Sequence, residues 1–397
     1  MARILVLDGQ SSAALAFTRS AGRAGHWVAV GANRGLFAPA KLSRYCREVL
    51  DYPPSTEDAA AFGGTIVEFV RSRSIELVIP ITDWTTQPIS EQRAQFEGIC
   101  RVALPPHEAV LAAADKYRTI ELARSQGMAV PRTWLIKNDA NGLDSLREAN
   151  FPLVVKDRFS ARWINGKAVL GSVSYAFNRE ELRESIGKRV QDTGDVLVQE
   201  FVFGTGMGVS LFITAAEMFL PFQWERIREI DPRGSASSAR KSMPLDRHLL
   251  SHSYRLVHAM GFQGIAMVEY KRVANGSGIL MEVNGRPWGS IGLAMASGID
   301  YPRYCIDWWL SGSLPPRSIA YGENVTCRRI VGELTHLSNI RKGKPENWPG
   351  EYPKFWSTLV KVAIPWYPGM HYDDFSISDP RPTLAHIRNW FQVRRKP

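Results

Sequence analysis

The chain is poor in the features that would assign it most directly. Its four cysteines, Cys46, Cys100, Cys305 and Cys327, are scattered and form no C-x-x-C pair. That gives no zinc-site spacing and no dense disulfide framework, so a reducing, cytoplasmic setting is expected. No apolar run is long enough to cross a bilayer, and the opening MARILVLDG is too short for a signal peptide or a spanning helix. Solenoid-length repeats and low-complexity tracts are absent. So are G-x-G-x-x-G and any recognised nucleic-acid motif, and no cysteine–histidine pair suggests a covalent enzyme intermediate.

At 397 residues the sequence exceeds one ordinary core, so two to four domains are expected. Lys and Arg outnumber Asp and Glu by 49 to 39. The surplus favours anionic ligands such as nucleotides, and it permits weak contact with nucleic acid or an anionic membrane.

The most informative stretch is ILMEVNGRPWGS, residues 279–290. In an extended strand, residues i and i+2 share a face. Glu282 and Asn284 therefore point one way, with Arg286 able to follow, while Met281 and Val283 point toward a core. A carboxylate, an amide oxygen and a guanidinium on one side suit a hard cation and a phosphate, and Mg²⁺ commonly binds through one or two carboxylates plus phosphates. Residues 264–273, GIAMVEYKRV, read as the preceding strand, with Asn275-Gly276 as a type I′ hairpin turn between them. That pairing sets Glu269 opposite Glu282. Like charges so placed are destabilising unless a cation lies between them.

Elsewhere, residues 3–8, a helix over 13–24 and residues 26–31 make a βαβ opening of a parallel sheet. A strand at 77–81 ends in Thr82-Asp83, either at a ligand-binding sheet edge or as a helix cap. Helices are expected at 107–114 and 116–126. The strand 153–156 ends in Lys156, a basic, flexible-looking stretch covers 157–170 with Asn165-Gly166 at its tip, and a strand at 172–177 and a helix over 179–189 lead to the strand 196–203. Residues 231–243 read as a Gly/Ser-rich basic loop, and 245–260 as a helix.

In its order Lys116, Lys156, the VQEFV strand, Glu269, Glu282, Asn284 and Arg286, the chain resembles the ATP-grasp superfamily, carbamoyl-phosphate-synthase-like carboxylate–amine ligases in particular. The likeness covers about residues 1–312. It implies an α/β chain: an N-terminal Rossmann-like parallel-sheet domain (1–112), a small α+β lid (113–200) and a central α+β metal-binding domain (201–312). Outside the likeness, residues 313–397 differ in composition and read as an aromatic, basic C-terminal extension. The likeness further implies that Lys116 and Lys156 hold nucleotide phosphates and that the backbone of Gln199, Glu200, Phe201 and Val202 reads adenine. Glu269, Glu282 and Asn284 become Mg²⁺ ligands, with Mn²⁺ as a substitute, and Arg286 stabilises the transferring phosphoryl group. Many members carry an acid for the ribose shortly after the hinge. Here Gly206-Met207-Gly208 stand in that region, so Glu200, a backbone group or nothing holds the ribose. Arg240, with Lys241, is read as a clamp on the acyl phosphate or on a substrate carboxylate.

The activity so implied is ATP-dependent activation of a small-molecule carboxylate as an acyl phosphate, followed by attack of an amine. The alternatives are a nucleotide-binding regulatory or scaffold protein without turnover, and a ligase using another nucleophile. No specific nucleic acid and no transmembrane segment are expected. A homodimer is allowed, and peripheral contact with an anionic membrane is a lesser expectation. For the C-terminal segment the reading is a fold-back over the core, with a helix burying Leu384, Ile387 and Phe391.

Overall fold

The computed structural model describes residues 1–137 and 146–395. Residues 138–145 of the expected lid, and Lys396 and Pro397 of the basic C-terminus, lie outside that part.

The N-terminal unit is a parallel sheet of β1 (Arg3–Val6), β2 (Trp27–Asn33), β3 (Cys46–Tyr52), β4 (Leu77–Ile79) and β5 (Arg101–Val102), in the order β3-β2-β1-β4-β5. Helices Ser12–Arg23, Ala59–Arg73 and Asp83–Glu91 supply the crossovers. Ile4, Leu5 and Val6 are all fully buried, which is why β1 reads as a continuous apolar run. β3 escaped the sequence reading because it is an edge strand whose CREVLDY sequence carries charges, the usual protection of an exposed edge.

A second, antiparallel sheet joins β6 (Thr133–Lys137), β7 (Leu153–Asp157), β10 (Val173–Ala176) and β11 (Asp195–Glu200), in the order β10-β7-β11-β6. Helix Arg179–Thr193 covers it through Leu182, Ile186 and Val190. The stretch that looked flexible, 157–170, is instead mostly a hairpin of β8 (Ala161–Ile164) and β9 (Lys167–Leu170). Asn165 and Gly166 turn it with φ of 52° and 78°, the pair of positive values that a type I′ turn needs.

The third sheet has seven strands: β12 (Thr205–Ile213), β13 (Met218–Glu229), β14 (Ser237–Met243), β15 (Gly264–Arg272), β16 (Gly278–Asn284), β17 (Thr326–Arg328) and β18 (Met370–Tyr372). Their order is β16-β15-β12-β13-β14-β17-β18. Helix Arg247–Ala259 packs Leu249, Leu256 and Val257 on one face, together with Ala123 and Met128 from the helix Lys116–Ser125 and the turn after it. On the other face, Phe212, Phe222, Trp288 and Tyr301 share a core with Leu15 and Phe17, joining this sheet to the N-terminal unit.

Two sequence readings are corrected here. Residues 237–243 of the expected basic loop form β14, an interior strand. The segment 313–397 contributes β17 and β18 to the same sheet, and it returns over the N-terminal unit where the buried Arg19 bonds Asp379 at 2.9 Å and the Asp374 carbonyl at 3.0 Å. The C-terminal helix Arg381–Arg395 does not seat itself as expected: Leu384 and Phe391 are 60% and 47% exposed, and Ile387 is half-buried. Pro382 and Thr383 are buried instead, and the Trp390 indole donates to Thr335 Oγ1 at 3.0 Å, which rotates the apolar stripe outward.

Candidate active site

The hairpin β15–β16 sets the site. Glu269 stands directly opposite Glu282 and Met267 opposite Asn284, as the sequence pairing required, but by a different route. Only Gly276 has positive φ at the turn, and Val273 pairs with Ser277, so the connection is one residue longer than a type I′ turn. A bulge then intervenes between Glu269 and Tyr270, whose partner is Leu280. Met281 is the extra residue. It restores the register beyond it and turns its own side chain toward the cavity rather than the core.

The Asn284 amide donates to Glu282 Oε1 at 3.2 Å and to Glu269 Oε1 at 3.5 Å. Arg226, from β13, forms an ion pair with Glu269 at 2.5 Å and another with Glu229 at 2.8 Å. Burial raises Glu269 to about 7, with Arg226 opposing the rise and Glu282 adding to it. Two facing carboxylates and an amide that can present its oxygen by rotation suit a cation that completes its shell with water and phosphate oxygens. Among the described residues no cluster of three or more His, Cys, Asp or Glu offers a metal site made of protein ligands alone.

Three cations face this acid pair. Lys156, at the end of β7, is buried, and burial lowers it to about 8. Lys116, at the start of its helix, donates to Ser160 Oγ at 3.1 Å and is also lowered, first by burial. Arg286 pairs with Asp83 Oδ2 at 3.0 Å. Burial acts to lower the Arg286 guanidinium, but Asp83 and the two glutamates outweigh it and hold it above its usual range. Asp83 occupies the first turn of its helix at the edge of the parallel sheet, with Thr82 as N-cap. The N-terminal unit thereby reaches the site.

The acid pair, Asn284 and the three cations line one cavity of about 410 Å³, joined by Gln199, Glu200, Phe201 and Val202 at the end of β11. Gln199 is buried and donates to Thr133 Oγ1 at 2.8 Å. The Val202 carbonyl, expected to face a base, already accepts from Lys271 Nζ at 2.9 Å. Where a ribose-binding acid was missed in the sequence, the reason is spatial. A Cβ on Gly206 would lie 2.6 Å from Arg226 Cδ, and one on Gly208 2.6 Å from Trp224. The two glycines let those long side chains lie across β12. Glu200 and Glu229 are the carboxylates left at that end of the cavity.

Arg240 also borders the cavity, but not as a mobile clamp. It is 1% exposed on β14, ion-paired with Asp373, and donates to the Ser237 carbonyl at 3.2 Å. Burial lowers it to about 10. Its charge is satisfied inside the fold, and no flexible loop carries it. Lys241 pairs with Glu225 at 2.9 Å. Arg226, Glu229 and Lys271 were missed in the sequence. Their one signal was alternation within strands, which cannot name the face that meets a ligand until the neighbouring sheet is placed.

The hairpin β8–β9 docks on the N-terminal unit. Trp163 Nε1 donates to the Ser55 carbonyl at 2.9 Å, and the amides of Ala168 and Ala59 pair across to Thr56 and Gly166. Arg158, just before it, holds Asp115 at 2.6 Å and Asp195 at 3.0 Å.

No family model matches the chain. It is 26% identical over 221 residues to the ribosomal protein bS6–L-glutamate ligase of Shigella boydii, spanning 54% of this chain and 69% of that protein. Its structure matches an L-amino acid ligase from Bacillus licheniformis with a TM-score of 0.61 at 16% identity, over 80% of this chain and 78% of the other. It also matches the biotin carboxylase domain of the Hydrogenobacter thermophilus 2-oxoglutarate carboxylase, crystallised with MgADP and bicarbonate, with a TM-score of 0.64 at 14% identity, over 82% and 73%. At these identities the structural likeness establishes the fold.

Proposed function

We propose that the chain is an ATP-grasp enzyme, an ATP-dependent ligase joining a carboxylate to an amine. The observation that carries the reading is the meeting of Glu269, Glu282 and Asn284 with Lys116, Lys156 and Arg286 in one cavity. An acid pair faces three cations contributed by separate units, the arrangement that a metal–triphosphate complex neutralises from both sides.

In this reading Glu269, Glu282 and Asn284 would hold Mg²⁺, which would supply positive charge against the phosphates. Lys156 and Lys116 hold phosphate oxygens as point charges. Arg286, oriented by Asp83, meets the charge that develops on the γ-phosphoryl group. A carboxylate oxygen of the substrate attacks the γ-phosphorus, the bond to the bridging oxygen breaks, and ADP leaves with that electron pair. The amine nitrogen then attacks the acyl carbon, phosphate departs, and the nitrogen loses a proton to solvent. Arg226 keeps Glu269 turned into the site. Glu200 or Glu229 holds the ribose, and the hinge backbone of residues 199–202 takes the base, with Lys271 occupying one of its carbonyls. Cytoplasmic residence and a homodimer belong to the same proposal.

Two relatives are by name ligases of amino acids, so amino acids are the first substrate class to try. The test is ADP release with Mg²⁺ and ATP against pooled amino acids and small carboxylic acids. The expected result is release that needs two substrates, one of them carboxylic. Tight MgATP binding with no pool raising ADP above background would instead favour a nucleotide-binding protein without turnover.

A further inference from the structure

Helix Phe355–Ala363 and the turn after it leave several large apolar side chains exposed, with Phe355, Leu359 and Val362 half-buried beneath. Trp356 is 76% exposed, Val360 66% and Trp366 65%, and Ile364 and Tyr367 are exposed as well. Trp356 and Val360 are four residues apart and share a helix face. Only Thr358 of this helix is buried.

The backbone beneath is firmly held. Arg328, itself buried, donates Nη2 to the Val362 carbonyl at 2.6 Å and Nη1 to the Ile364 carbonyl at 2.7 Å. The Tyr372 hydroxyl donates to the Pro365 carbonyl at 2.5 Å. The aromatic side chains are thus presented from a fixed base. Contiguous apolar surface of this kind on a folded protein marks an interaction site.

Three features select the partner. The face does not line the candidate active-site cavity, so that site leaves it free for a partner. Residues 341–367 carry five exposed cations, Arg341, Lys342, Lys344, Lys354 and Lys361, against Glu346 and Glu351. Pairing with a second copy about a two-fold axis would set the same patch, and so the same cations, against itself. An anionic surface meets no such repulsion. Indole and phenol rings, with one apolar and one polar end, favour the boundary between lipid headgroups and acyl chains. We infer that this face seats on an anionic lipid bilayer, Trp356, Val360, Ile364 and Trp366 entering the headgroup–acyl boundary while the lysines meet lipid phosphates. The inference does not depend on the ligase reading.

The test uses the full chain with vesicles of phosphatidylcholine alone, and with about one third phosphatidylglycerol to supply negative charge. Co-sedimentation is expected only with the anionic vesicles, weakening as salt rises and accompanied by a blue shift of tryptophan emission. Trp356→Ser with Trp366→Ser should lower partitioning by about tenfold or more, since each indole loses its apolar burial. Both side chains are exposed, so the melting temperature should not fall. Lys354→Glu with Lys361→Glu should remove the preference for anionic vesicles. No binding, binding that the tryptophan pair does not alter, or a concentration-dependent dimer that the same pair dissolves would each overturn the inference, the last in favour of a second copy.

Discussion

Glu282 faces Glu269 across β15 and β16 because Met281 is extra on its strand. In the register that the turn sets, Glu269 would oppose Met281, and Glu282 would fall on the opposite face of the sheet, since side chains alternate with a period of two. The bulge compensates a turn that is one residue longer than the shortest hairpin allows.

Glu282→Gln removes the charge but keeps the volume and an acceptor for Asn284. Turnover should fall by about 10²–10³, the usual scale for losing one preorganised electrostatic contact. The melting temperature should stay near that of the parent, or rise as repulsion with Glu269 is relieved. Normal turnover by this variant would remove the acid pair from the mechanism.

Stability should depend on pH through Glu269. Its ordinary value is 4.5 and burial raises it to about 7. Between those values the folded state holds the proton and the unfolded chain has lost it, so the folded state binds more protons. Its stability therefore falls as pH rises across the window. Thermal melts of Glu269→Gln should show a flatter profile there, and a slope unchanged from the parent would contradict the assignment.

MgATP binding should run the other way over the same range, because the metal needs the ionised carboxylate. Affinity should grow as pH approaches 7. It should decline above about 8, where Lys156, lowered by burial, loses its charge. Titration calorimetry across pH 6–9 with Lys156→Met beside the parent checks this: the variant should bind weakly and lack the alkaline decline. A decline retained in the variant would move it to another group.

Asp83→Asn weakens the hold on Arg286 while leaving an acceptor in place. A hydrogen bond to a charged group contributes about 1.5–3 kcal/mol, so turnover should drop by about tenfold or more. MgATP affinity should change little, because Asp83 acts through Arg286. Loss of nucleotide binding in proportion to turnover would show that Asp83 has a structural role only.

Trp163→Phe deletes the indole bond to the Ser55 carbonyl and loosens the β8–β9 hairpin from the N-terminal unit. Proteolysis within residues 157–171 should speed up in the free protein and be suppressed by a non-hydrolysable ATP analogue. Equal rates with and without the analogue would argue against a closing lid.

Much of the candidate site was legible because its chemistry is concentrated in two short strands. Period-two alternation alone places Glu282 with Asn284, and Lys156 declares itself as a cation ending an apolar run. The pairing with Glu269 expected from an Asn275-Gly276 turn is reached only because a longer turn and the Met281 bulge offset each other. The opening βαβ unit was equally legible, since a strand buried on both faces must be apolar throughout.

What the sequence could not carry was partnership between distant segments. Arg240 reads as a free cation beside glycines and serines, but Asp373, far along the chain, neutralises it inside the fold. Arg226 and Lys271 read as ordinary strand residues until the second sheet closes over their face. Leu384 and Phe391 read as a buried stripe, but the Trp390–Thr335 bond sets the helix rotation. Local pattern determines which residues can share a face, because strand and helix geometry follow from the backbone alone. Only the tertiary structure decides what that face meets, because burial and ion pairing depend on which other segment arrives there.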